Sequence, residues 1–118
     1  MIWAIEVSVA AEHDIELLFE HLIESYMSFG EPRVMAEERA AERIYDVLDK
    51  MNRIATAPFR GKSYDHLLSD LRHLTLDHAI YWYVIDENNK TVHVLAIFYG
   101  GQDHIRQMLL RLLISAED

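Results

Sequence analysis

Two stretches of this sequence gather side chains able to act on a phosphodiester. Lys62 and His66 lie in the polar connector FRGKSYDHLLSD, and Arg72 follows at the start of the apolar run LRHLTL. Tyr99 and His104 flank the glycine pair in VHVLAIFYGGQDH. Cleavage of RNA by its own 2′-hydroxyl needs a base near the nucleophile, positive charge on the developing phosphorane, and an acid for the departing 5′ oxygen. On that reading Arg72, Tyr99, Lys62 and His104 are the candidate catalytic residues, with His66 beside Lys62. Each also has a plain structural reading. Arg72 shares the alternation of Leu74 and Leu76, which in a regular strand turns it to their buried face, and Asp70, Asp77 and Asp103 are available as ion-pair partners. Tyr99 can end a buried strand with its hydroxyl in water. Asp103 suits a helix N-cap, and His104 a surface position at a helix start.

The Gly100-Gly101 junction has two readings as well. Glycine takes positive φ without strain, as a tight strand-to-helix turn requires. Glycine also lets a partner come close to the backbone, which makes Tyr99, Gly100, Gly101, Gln102, Asp103 and His104, with Arg72, a candidate binding lip. The pair lacks the GxGxxG or GxxxxGK[ST] context of a nucleotide loop, and no GxSxG elbow supports a Ser/His/Asp triad. Seven histidines raise a metal hypothesis, but His13 and His21 stand eight apart, and His73, His78 and His93 are scattered over three strand-like segments. With no HxxxH or HExxH pair and no cysteine, neither a metal site nor a cofactor is expected.

The elements that must position these residues follow from periodicity. Residues 2–8, IWAIEVS, read as a first strand, with Ser8 as a helix cap. Ile15, Leu18, Phe19, Leu22, Ile23 and Tyr26 then recur at helical spacing, and Phe29-Gly30 ends that helix. Pro32 suits the first turn of a second helix, whose apolar stripe is Ala36, Ala40, Ile44, Val47, Leu48, Met51 and Ile54. Beyond Pro58 come three strand-like runs, 71–76, 79–86 and 91–99, with Asn88-Asn89 as the expected hairpin turn between the last two. Those two are apolar on both faces, which suits central strands covered on both sides. Ile105, Met108, Leu109, Leu112 and Leu113 mark a closing helix. The order β-α-α-β-β-β-α points to an α+β fold, a small and mainly antiparallel sheet packed by an N-terminal helix hairpin.

Bulk properties bound the function. A chain of 118 residues suits one domain spanning 1–118, with enough core to fold without disulfides. Net charge is −9, with −7 on residues 1–55 and −2 on 56–118. Phosphate neutralisation by overall charge is therefore not expected to bind nucleic acid, and any polyanion contact must come from a local cluster. The first residues lack a basic leader and no apolar run reaches membrane-spanning length, so a cytoplasmic protein without membrane contact is expected. Apolar residues make up 51 % of the chain, more than one small core must hide, which fits a partner that folds on a preformed surface.

Pro58 and Gly61 after the second helix, Leu71-Arg72 opening LRHLTLD, the aromatic strand AIYWYVID and the closing VLAIFYGGQDH, in this order, resemble the RelE/ParE superfamily of toxins from type II toxin–antitoxin systems. The resemblance spans the whole chain in element order, and its residue detail lies in 58–104. It implies a growth-inhibiting toxin neutralised by a cognate antitoxin, as a hetero-oligomer or a homodimer. Some ribonucleases of the superfamily carry a basic pair after the last strand's glycine, where this chain reads Gly101-Gln102-Asp103. The segment looks more like the ParE branch, to which plasmid stabilisation proteins and DNA gyrase inhibitors belong. The alternatives are a ribosome-dependent mRNA endonuclease of RelE type and a degenerate, non-toxic interaction module.

Overall fold

The computed structural model describes residues 2–100 and 103–116, without the side chains of 115 and 116; Gly101 and Gln102, two of the expected binding residues, lie outside the described residues. The first strand, β1 (Ala4–Val7), is shorter than the sequence suggests. Ser8 ends it in extended conformation, and its hydroxyl accepts the Ala11 amide at 3.0 Å, starting α1 (Val9–Ser28). Gly30, at φ +99°, turns the chain out of α1. Pro32 stands one residue before α2 (Arg33–Met51), in extended conformation, and its carbonyl accepts the Ala36 amide. Ala36 and Ala40 are fully buried, and their small size lets the two helices of the hairpin pack closely.

Two 3₁₀ turns, Asn52–Thr56 and Pro58–Arg60, lead to β2 (Lys62–Ser63), a two-residue strand too short to carry a periodic signal. The strands β3 (Leu71–Leu76), β4 (Ala79–Asp86) and β5 (Thr91–Tyr99) have the bounds that their alternation predicts. The sheet order is β1-β5-β4-β3-β2; β1 pairs parallel with β5, and the other pairs are antiparallel. The structure is thus α+β and mainly antiparallel, as expected, with β4 and β5 inside the sheet. The hairpin turn between them differs in detail. Its left-handed residue is Lys90, at φ +50°, not an asparagine, because the Asp86 carboxylate accepts from both the backbone amide and the side chain of Asn89.

The sheet is covered on both faces. Tyr81, Tyr83, Ile85, Val92, Val94 and Ile97 pack against the α1–α2 hairpin. Leu71, Ile80, Trp82 and Ala96 face the other way, under Tyr64 and α3 (His104–Ala116), which buries Met108 there. A bulge sets the phase of β5: Trp82 pairs with Ala96 and Tyr83 with Val94, leaving Leu95 as an extra residue. After it the alternation is shifted by one, so Ile97 and Tyr99 face the helix hairpin while Leu95, Ala96 and Phe98 face α3.

β1 ends opposite Val94, so among the described residues the outer edge of β5 beyond that point has no strand beside it. Side chains take the place of one. Asp14 accepts the Ile97 amide at 3.0 Å, while Arg111 and Ser8 each donate to the Leu95 carbonyl at 3.3 Å. Arg111 and Asp14 are joined by two parallel hydrogen bonds of 2.8 Å, which tie α3 to α1 across the strand edge.

Candidate functional site

The sheet divides the candidate residues into two groups. Arg72 pairs with Tyr83 on the face of the helix hairpin, as its alternation with Leu74 and Leu76 predicts. Among the described residues its guanidinium takes no carboxylate; Nη1 donates to the carbonyls of Gly61 at 2.6 Å and Phe59 at 3.1 Å, with the group lying over the Phe59 ring. Arg72 therefore fastens the segment Phe59–Gly61 to the sheet. Tyr83 helps, its buried hydroxyl donating to the Pro58 carbonyl at 2.7 Å, and burial raises its pKa above the usual tyrosine value. Gly61 makes this possible: a Cβ there would lie 2.8 Å from the His73 carbonyl oxygen and closer still to the Tyr83 hydroxyl.

Tyr99 is on the same face as Arg72 but at the other end of the sheet, since it pairs with Ala79 and Arg72 with Tyr83. Four residues of β4 separate those positions, or roughly 13 Å at the usual rise. Around Tyr99 stand Arg43, Asp46, Lys50, His78 and Tyr81, a polar setting between α2 and the sheet. Gly100 has φ +91°, the conformation for which glycine suits this turn. Asp103 also has positive φ, +53°, and receives the Gln107 amide on its main-chain carbonyl.

Lys62 and His104 lie on the opposite face, and there the structure assembles a cluster. Lys62 pairs with His73 across β2 and β3, and His73 pairs with Trp82 on β4. The ring centroids of His73 stand 4.6 Å from Trp82, 4.9 Å from Tyr64 and 4.9 Å from His104. His104, at the start of α3, also lies 5.6 Å from Trp82, and His66 lies 5.5 Å from Tyr64. The Lys62 ammonium is 5.5 Å from the Tyr64 ring centroid. Both nitrogens of His73, Nδ1 of His104 and the indole nitrogen of Trp82 are buried without a hydrogen-bond partner among the described residues. Burial is the main reason that His73 titrates at about 4, with further contributions from His104 and Lys62. Burial also lowers the pKa of His104. Both imidazoles are thus neutral at pH 7, a state in which one can accept a proton and another donate one.

Of the four candidate catalytic residues, then, Lys62 and His104 are neighbours through His73, and Arg72 and Tyr99 stand apart from them. In the sequence His73 is one of seven histidines and stands out only when metal ligands are sought. Its signal was positional: a histidine between Arg72 and Leu74, sharing the parity of buried Leu71, faces the side that Arg72 does not. Among the described residues no group of three acidic or histidine side chains is arranged to hold a metal.

A second surface feature is apolar. On α3, Leu110 is 48 %, Leu113 56 % and Ile114 65 % exposed, while Val9 and Leu17 are exposed on α1. Between these helices run two adjoining grooves of about 350 and 390 Å³ that share Phe98, Gln107 and Arg111. Another apolar cluster, Phe29, Val34 and Met35, stands at the tip of the helix hairpin. No described helix is long and apolar enough to cross a membrane.

The architecture is a RelE/ParE-like fold. A chain of the RelBE2 toxin–antitoxin complex from Mycobacterium tuberculosis superposes with a TM-score of 0.59 at 17 % identity, covering 84 % of this chain and 92 % of that one. A chain of the chromosomal ParDE toxin–antitoxin system from P. aeruginosa gives a TM-score of 0.64 at 14 % identity, covering 85 % and 98 %. No family model and no curated protein matches the sequence.

Proposed function

We propose that this chain is the toxin of a type II toxin–antitoxin pair, acting in the ParE manner by binding a cellular protein, with DNA gyrase as the first target to test. The carrying observation is the fold, together with exposed apolar surface on α1, α3 and the hairpin tip that suits docking of a cognate antitoxin. Two features favour binding over catalysis by the full set of candidate residues. Arg72 spends its guanidinium on main-chain carbonyls, and Tyr99 is on the opposite face from His104. Inducible expression of the chain in a bacterial host, scoring growth, DNA supercoiling and bulk mRNA together, tests the reading. Growth arrest with altered supercoiling and intact mRNA is expected. Growth without arrest, with no binding to the product of a neighbouring gene, overturns the toxin reading and leaves a degenerate interaction module.

A second reading is endonucleolytic. It is favoured by the cluster of Lys62, His73 and His104, which supplies a cation and two neutral imidazoles on one face. Under it, arrest is accompanied by translation-dependent mRNA cutting that Lys62→Ala and His104→Ala each abolish in a folded protein. Arg72 then supports the segment carrying Lys62, and Tyr99 is dispensable.

A further inference from the structure

The most unusual chemistry in the molecule is the contact between α3 and the sheet. His73 on β3 and His104 at the first position of α3 meet ring to ring at 4.9 Å, over Trp82, which is 0 % exposed. Among the described residues none of the buried nitrogens there has a partner, so no hydrogen bond among them holds the two rings in place. Their contact depends on both being uncharged. The titratable groups around them do nothing to offset a proton. Lys62 on β2 is a cation, Tyr64 and His66 come from the connector, and Arg106 follows on α3. β4 contributes Trp82, and β5 contributes Ala96 and Phe98 to the same face, none of which titrates. Asp103 precedes His104, Asp70 and Asp77 lie three and four positions to either side of His73, and Asp65 follows Tyr64 in the connector. Asp65 is engaged with the Ser63 hydroxyl and the Asp70 amide, and no carboxylate pairs with either imidazole among the described residues. A charged His104 would also stand at a helix N-terminus, where the peptide dipoles disfavour a cation.

We propose that His73 and His104 form an acid-released latch, in which protonation of the two rings frees the start of α3 from the sheet and uncovers Trp82, while Arg111 farther along the helix still holds Asp14. The latch needs no ligand. Protons enter as the two imidazoles become imidazolium, and the repulsion among His73, His104 and Lys62 is relieved when the start of α3 leaves. The lowered pKa of His73, about 4, supports this, since a group that returns to an ordinary histidine value of about 6.5 on opening favours the open form as pH falls. Between pH 7.5 and pH 4, His73 alone should raise the opening equilibrium on the order of 100-fold.

Hydrogen–deuterium exchange on the whole chain tests the latch, with α3 compared with α1 from pH 7.5 to 4 after correction for intrinsic exchange. The sample is kept dilute because the isoelectric point is about 5.1. The expected result is loss of protection at the start of α3 below about pH 6, while α1 stays protected. In His73→Gln and His104→Gln, which cannot take the proton, the pH dependence there should flatten even if its protection at pH 7.5 is lower. Protection at the start of α3 that persists to pH 4, loss of α1 and α3 together, or Gln variants with the same pH profile as the parent would each overturn the proposal.

Discussion

Asp14→Ala should be among the most costly single changes outside the apolar core. Asp14 is 9 % exposed and holds three groups: two guanidinium nitrogens of Arg111 at 2.8 Å and the Ile97 amide at 3.0 Å. Removing one partner of a buried pair costs about 3–5 kcal/mol, and an exposed pair costs at most about 1 kcal/mol. Arg111 is 29 % exposed, so water can reach its freed guanidinium, and about 2 kcal/mol is the fitting figure for the lost pair. The unpaired Ile97 amide adds about 1 kcal/mol. Alanine is a better helix former than aspartate, which returns about 0.6 kcal/mol within α1. The net loss is about 2.5 kcal/mol. In urea, with a slope of about 1.5 kcal/mol per molar for a chain of this size, the midpoint should fall by about 1.7 M. Arg111→Met leaves the carboxylate unpaired instead, and the double variant should lose about 1.5 kcal/mol less than the two singles summed. A single-variant loss below about 1 kcal/mol, or singles that add within about 0.5 kcal/mol, would mean that Asp14 and Arg111 are not coupled through the strand edge as described.

Two further outcomes follow from the region that carries Lys62. Gly61→Ala puts a methyl group against the Tyr83 hydroxyl and the His73 carbonyl, and should cost about 2 kcal/mol or more in thermal or urea unfolding, although the φ of Gly61 is ordinary. A parental Tm in that variant would show that the Pro58–Gly61 segment yields freely. Tyr83→Phe leaves the Pro58 carbonyl without its buried donor and should cost about 1–2 kcal/mol, read from the urea midpoint; no change would indicate that another donor replaces the hydroxyl.

Periodicity read the elements well where both faces of a strand or one stripe of a helix were apolar, which is why β3, β4, β5 and both hairpin helices have their expected places. It failed where order comes from single contacts. β2 is two residues held by pairing to β3, and the turn at Lys90 follows from the side chain of Asp86. The site was harder to read for a related reason. The parity of Arg72 was correct, but spacing along the chain carries no information on which strand ends meet. The His73–His104 contact joins the middle of one strand to the start of a helix 31 positions later.

The extra residue at Leu95 has a consequence for how this chain is compared with others of its fold. Plain alternation from Val92 would point Tyr99 at α3 and the imidazoles; the bulge points it at the helix hairpin. Two chains that differ only by one residue in this strand would therefore carry the same tyrosine, at the same place in an alignment, on opposite sides of the sheet. For this position an alignment column is not a chemical equivalence, and strand length must be matched before a role is transferred.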